Sequence, residues 1–169
     1  IASYPKSGNT YIRSFIASYY FSKKGKFDFD LLFNILQFPS VKFSKKNIYS
    51  EKEASDNWIY NQNQFFPKNK INFIKTHNSL ERFKGNQFTS SNQTLGAIYI
   101  VRDPRNLITS LMHHYSLDYD EAFSQLTNEN ASLLEKPKDN DHSNFTFLGS
   151  WSNHYTSWKN SKDFKILFI

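Results

Sequence analysis

The chain has 169 residues, enough for one domain with a core of its own. Hydrophobic residues make up 38%, the mean hydropathy is −0.64, and no run approaches the roughly 18 apolar residues of a membrane span. With no cysteine, disulfides and thiol chemistry are excluded, which fits a reducing, cytoplasmic compartment. The net charge of +6 suits an anionic ligand. The lysines are scattered rather than striped, which argues against a specific nucleic-acid face. The aromatic content of 18% is matched by abundant Asn, Lys and Ile. It reads first as a compositional bias and second as an aromatic acceptor pocket.

The first stretch, IASYPKSGNTYIRSFIASYY, reads as a strand end, a turn and a helix. Ile12, Phe15, Ile16, Tyr19 and Tyr20 are the expected buried face of that helix. A strand, a Gly-containing turn and a helix N-terminus form an anion site, because backbone N–H groups point outward there and the helix dipole favours negative charge. Lys6, Ser7, Asn9 and Thr10 add side-chain donors. A nucleotide-kinase P-loop needs glycines ahead of its lysine, whereas here Gly8 follows Lys6 and Ser7.

Further along, Phe29–Phe38 reads as a short helix stopped by Pro39, and 40–56 mainly as loop. Asn57–Phe66 reads as a helix ended by Pro67. INFIKT at Ile71–Thr76 reads as a buried parallel strand presenting Lys75, Thr76 and His77 at its end, and 78–94 as loop. AIYIV at Ala97–Val101 is the clearest strand, followed at once by Arg102. Asp103 and Pro104 start a helix with the stripe Leu107, Ile108, Leu111, Tyr115. Asp118 and Glu121 form a capping signal for the next helix, with Tyr119, Ala122, Phe123 and Leu126 inside. The stretch 128–144, with Pro137, reads as surface loop. Leu148, Trp151, Tyr155 and Trp158 mark a further helix, and FKILFI a last strand. Alternating strands and helices predict an α/β fold with a mostly parallel central sheet and helices on both faces, as a single domain over 1–169. Beginning and ending inside strands, the chain reads as a fragment cut at both ends.

Three strand ends carry polar residues that converge in such a fold: Lys6 with Ser7, Lys75 with His77, and Arg102. The segment YPKSGNTY resembles the Y-P-K-S-G-T-T-W loop of sulfotransferases that use 3′-phosphoadenosine 5′-phosphosulfate (PAPS), with Asn9 in place of Thr and Tyr11 in place of Trp. RDPRNLITS, from Arg102 to Ser110, is similar to that family's 3′-phosphate segment, KTH at 75–77 to its catalytic segment, and GSWSNH to a further family helix. The resemblance implies a P-loop-like fold. It implies that Lys6, Ser7, Gly8, Asn9, Thr10 and Tyr11 hold the 5′-phosphosulfate and adenine, and that Arg102 and Ser110 hold the 3′-phosphate. It further implies that His77 is the general base, assisted by Lys6 and Lys75, with no metal. A permanently charged, planar Arg suits phosphate, and a His titrating near neutrality suits proton transfer. The acceptor is expected to be a small molecule, glycan or lipid bearing a hydroxyl or amine. His113, His114, His142 and His154 are expected to be structural or surface residues. A nucleotide kinase and a nucleotide-binding module without activity are the alternatives.

Overall fold

The computed structural model describes residues 1–66, 69–134 and 140–169. Pro67 and the part of the 128–144 stretch that contains Pro137 lie outside the described residues.

The core of the fold is a set of short parallel strands. β1 (Ala2–Ser3) pairs with β4 (Gly96–Ile100), and β4 pairs with β7 (Lys165–Phe168). On the other side of β1, β2 (Leu36–Gln37) pairs with β3 (Ile74–Lys75). The end of β3 joins β1 through a parallel bridge at Ala2 and Thr76, where Thr76 N–H donates to the Ile1 carbonyl at 2.9 Å. The spatial order is therefore β2-β3-β1-β4-β7, all parallel. A separate antiparallel pair is formed by β5 (Ser132–Leu133) and β6 (Thr146–Phe147).

Side chains alternate across β1, and this decides what packs where. Ala2 and Tyr4 are buried toward α6 (Trp151–Lys159) and α4 (Pro104–Tyr115), in clusters with Trp158, Leu107 and Leu111. Ser3 projects the other way and meets Asn9 at the start of α1 (Asn9–Phe21), 3.2 Å from its amide. α5 (Tyr119–Thr127) adds Ala122 and Leu126 to the cluster around Tyr4. A second core, rich in Phe and Trp, lies around α2 (Glu51–Asp56) and α3 (Trp58–Phe65), where Trp58 stacks parallel to Phe145. No helix among the described residues is long and apolar enough to cross a membrane.

Local chemistry explains the element boundaries. Asp103 caps α4 by accepting from Arg105 N–H at 2.9 Å, with Pro104 in the first turn, as expected. Asp118 and Glu121 close the full reciprocal capping box on α5.

Several expectations need correction. α1 docks through Asn9, Arg13 and Ala17, spaced four apart, while Phe15, Tyr19 (82% exposed) and Tyr20 face outward. The small Ala17 permits close approach, and Arg13 spends its guanidinium on the carbonyls of Leu32 and Ile35, while Ile12 and Ile16 of the expected stripe are partly buried. On α4 and α5 the outer aromatic residues of the expected stripes, Tyr115, Tyr119 and Phe123, are likewise exposed. The expected helix at Phe29–Phe38 is a 3₁₀ turn at Phe29–Asn34 followed by β2. The expected loop at 40–56 contains a 3₁₀ turn (Val41–Phe43) and α2, nucleated by Ser50 accepting from Glu53 N–H. Strand β3 is shorter than Ile71–Thr76 because its neighbour β2 is two residues long, and Ile71 is left exposed.

Candidate active site

The turn from β1 to α1 has an unusual backbone. Lys6 sits at φ 66° and Gly8 at φ 100°, both left-handed. Nothing lies within 4 Å of where a Cβ on Gly8 would stand, so conformation rather than crowding requires glycine there. Gly8 caps α1 without a side chain, and the first intrahelical bond runs from Ile12 N–H to the Gly8 carbonyl. The N–H groups of Asn9, Thr10 and Tyr11 therefore have no intrahelical partner, and no acid stands in the first turn. Ser7 Oγ and Asn9 Oδ1 are buried without a partner. The Lys6 ammonium makes no ion pair or hydrogen bond among the described residues. Bare N–H groups, a buried hydroxyl and an unpaired cation at one helix start fit an anion such as a phosphate or phosphosulfate.

Arg102, one residue past the end of the neighbouring strand β4, closes this loop. Its Nη1–H donates to the Lys6 carbonyl at 2.8 Å. The adjacent Asp103 does not compete for it. Arg105 takes both Asp103 oxygens and pulls that carboxyl down to about 2. Arg102 thus keeps further donors uncommitted. Ser110 lies two turns into α4, half-buried, with its hydroxyl unbonded among the described residues. Thr10 and Tyr11 are exposed, and the Tyr11 ring meets Phe15 edge-on at 4.9 Å.

His77 follows the bridge that joins β3 to β1. Its Nδ1 lies 2.7 Å from the Ser3 carbonyl and 3.3 Å from Ser3 Oγ. A carbonyl can only accept, so Nδ1 carries the proton and Nε2 keeps its lone pair, with no partner among the described residues. Burial first, then the Lys75 ammonium, pushes the imidazole down to about 3, and the Ser3 carbonyl opposes this in part. The ring is neutral at physiological pH, not poised near its ordinary value. Lys75 stands at the end of β3, and its Nζ donates to Gln37 Oε1 at 2.7 Å across the β2–β3 ladder.

The structure thus brings β3, β1 and β4 side by side, so that His77, the Lys6 loop and Arg102 lie beyond three adjacent strand ends. Direct contacts link Arg102 to the loop and His77 to Ser3. A cavity of about 780 Å³ lies elsewhere. It is lined by Ile1, Gly96 and Lys165 at the strand starts, with Phe38, Phe88 and Trp158, and none of the polar residues above lines it. Among the described residues no group of His, Asp or Glu could hold a metal ion.

A sulfotransferase-domain family model matches residues 1–169. The chain belongs to the sulfotransferase domain family. Its fold is that of the mouse sulfotransferase SULT7A1, whose crystal structure is a complex with PAP, at 18% identity and a TM-score of 0.51. That match covers 99% of this chain and 48% of the mouse chain, so this chain spans about half the length of the solved sulfotransferase. No curated protein sequence matches the chain.

His154, expected among the structural or surface residues, packs from α6 against the candidate site. It is fully buried, and its Nε2 lies 3.0 Å from the His77 carbonyl. The available signal was a polar residue on the face of α6 shared by Trp151, Tyr155 and Trp158, since a polar group on an apolar stripe needs a partner. Ser3 gave no signal of its own, because its contribution is largely a main-chain carbonyl.

Proposed function

We propose that the protein transfers a sulfuryl group from PAPS to a hydroxyl or amine acceptor. The observation that carries this reading is the Lys6–Gly8 loop: left-handed at both ends, bare of acids, carrying an unpaired ammonium and closed by Arg102 from the next strand. The family assignment supports the same chemistry.

In this reading the loop N–H groups, Ser7 and Thr10 bind the 5′-phosphosulfate, Tyr11 lies against adenine, and Arg102 with Ser110 binds the 3′-phosphate. His77 Nε2 takes the acceptor proton as the acceptor oxygen bonds to sulfur. The bond from sulfur to the bridging oxygen breaks in line, and its electron pair leaves on the 5′-phosphate of PAP. Lys6 stabilises the charge that develops on that oxygen. Lys75 assists at the sulfuryl oxygens after releasing Gln37. The low basicity of His77 is matched to an anionic ligand, because a phosphosulfate beside the ring favours the imidazolium and raises its pKa.

The test is incubation of the full-length protein with ³⁵S-labelled PAPS and pools of phenols, alcohols, sugars, lipids and amines. Label transferred to an acceptor without added Mg²⁺ is the expected result. Transfer of phosphate from ATP requiring Mg²⁺ would make the protein a kinase instead, and tight PAP binding without turnover would make it a nucleotide-binding module.

A further inference from the structure

His77 is held at two points, and only one of them is its ring. The second is its main-chain carbonyl, which accepts from His154 Nε2–H at 3.0 Å. Because a carbonyl cannot donate, this bond fixes the tautomer of His154, leaving Nδ1 as an acceptor. Nδ1 lies 2.8 Å from the Tyr99 hydroxyl, which therefore donates to it. Tyr99 stands on β4, His154 on α6, and His77 just past the bridge that follows β3, so the chain of bonds joins three parts of the fold. The His154 ring is further wedged by Tyr4 of the Lys6 turn, edge-on at 5.3 Å. One residue on, the same helix grips the chain again, where Trp158 Nε1–H donates to the Asn78 carbonyl at 3.1 Å.

We infer that His154, set by Tyr99, is the positioning residue that fixes the orientation and tautomer of His77. The inference rests on the reading of His77 as the base. The Ser3 carbonyl sets the rotation of the His77 ring, but only if the His77 peptide stays where it is. The peptide lies at the last bridge of β3 to β1, where the ladder hydrogen bonds stop. His154 supplies the bond that the ladder no longer does. Without that N–H, a partly buried carbonyl is unsatisfied and the peptide turns to find water. The ring then leaves Ser3, Nδ1–H is no longer preferred over Nε2–H, and part of the population loses the lone pair that receives the acceptor proton.

The test uses the full-length protein labelled with ¹⁵N-histidine, reading the two ring nitrogens of His77 by long-range ¹H–¹⁵N correlation at pH 7.5. In the wild type His77 is expected as the Nδ1–H tautomer alone. His154→Phe keeps the volume and removes the donor, and is expected to give a mixture of both tautomers. His154→Gln offers an amide N–H at nearly the same reach, and is expected to restore the single tautomer. Affinity for adenosine 3′,5′-bisphosphate, by calorimetry, should stay within about threefold in both variants, showing that the Lys6 loop is intact. A single Nδ1–H tautomer in His154→Phe would overturn the inference, as would a failure of His154→Gln to restore it in a folded protein. Should His154→Phe not fold, His154→Leu serves, because it also removes the N–H that holds the His77 carbonyl. Mixed His77 signals support the inference in that variant and unmixed ones overturn it. His77→Ala separates the two readings: sulfuryl transfer that survives it refutes the base, whatever the tautomer data say.

Discussion

Acid should destabilise this protein in a specific, assignable way. His154 is fully buried and held to about 4, with burial as the main cause, opposed in part by its bond to the His77 carbonyl. In the unfolded chain it titrates near 6.5. Its folded-state pKa is the lower one, so as pH falls the unfolded state takes up the proton first. The contribution to stability is full above about 6.5 and declines as pH falls toward about 4. Between pH 8 and pH 5 the linkage relation gives a loss of about 2 kcal/mol from His154 alone. That is a large part of a typical domain stability of about 5–15 kcal/mol. His77 acts in the same direction over the same window, with its share reduced by its partial exposure. Urea unfolding of the wild type and of His154→Gln at pH 8, 7, 6 and 5 measures the effect. The variant should be less stable at pH 8 yet lose about 2 kcal/mol less than the wild type on going to pH 5. Parallel pH profiles would refute the reasoning, because they would mean that His154 is protonated with equal ease in both states.

Two other substitutions separate folding from function. Lys6→Gly should raise stability by roughly 1 kcal/mol, since a side chain at φ 66° carries a left-handed penalty that glycine does not. The same change should lower kcat by about 10²-fold, the usual loss when one stabilising donor at a developing charge is removed. Urea midpoints and turnover should therefore move in opposite directions. Gly149→Ala should cost about 1–2 kcal/mol by urea unfolding, because its φ of 66° is left-handed, while Glu81 Oε2, 2.9 Å from where a Cβ would stand, ends a flexible side chain that can swing aside.

Much of the candidate site's local structure was legible in the sequence because its signals are local. YPKSGNTY carries its own strand, turn and helix start, and Asp103-Pro104 marks the beginning of α4 within two residues. The same holds for the Asp118–Glu121 box. What the sequence hid depends on partners far along the chain. On α1, Ile12 and Ile16 of the expected stripe are partly buried, but Arg13 also turns inward to the carbonyls of Leu32 and Ile35, so hydrophobicity alone misplaced the aromatic residues Phe15, Tyr19 and Tyr20. The helix at Glu51–Asp56 was obscured by its lysine-rich flank, although Ser50 and Glu53 already spelled its cap. His154 is 77 residues from the carbonyl it holds, and a His on a helix face does not by itself say which peptide it serves. The basicity of His77 was likewise out of reach, because burial and the neighbouring Lys75 set it, not the residue type.

The claim on which everything else depends is that the Lys6 turn and Arg102 form a site for a nucleotide bearing a 3′-phosphate. Calorimetry of the full-length protein with adenosine 3′,5′-bisphosphate and with AMP tests it most directly. Arg102 also holds the Lys6 carbonyl, so Arg102→Ala weakens the loop for both ligands, and the ratio of the two affinities isolates the 3′-phosphate. The bisphosphate should bind the wild type more tightly, and Arg102→Ala should remove most of the difference, about 1.5–3 kcal/mol for a charged hydrogen bond. Equal affinities of the wild type for the two nucleotides would contradict the account.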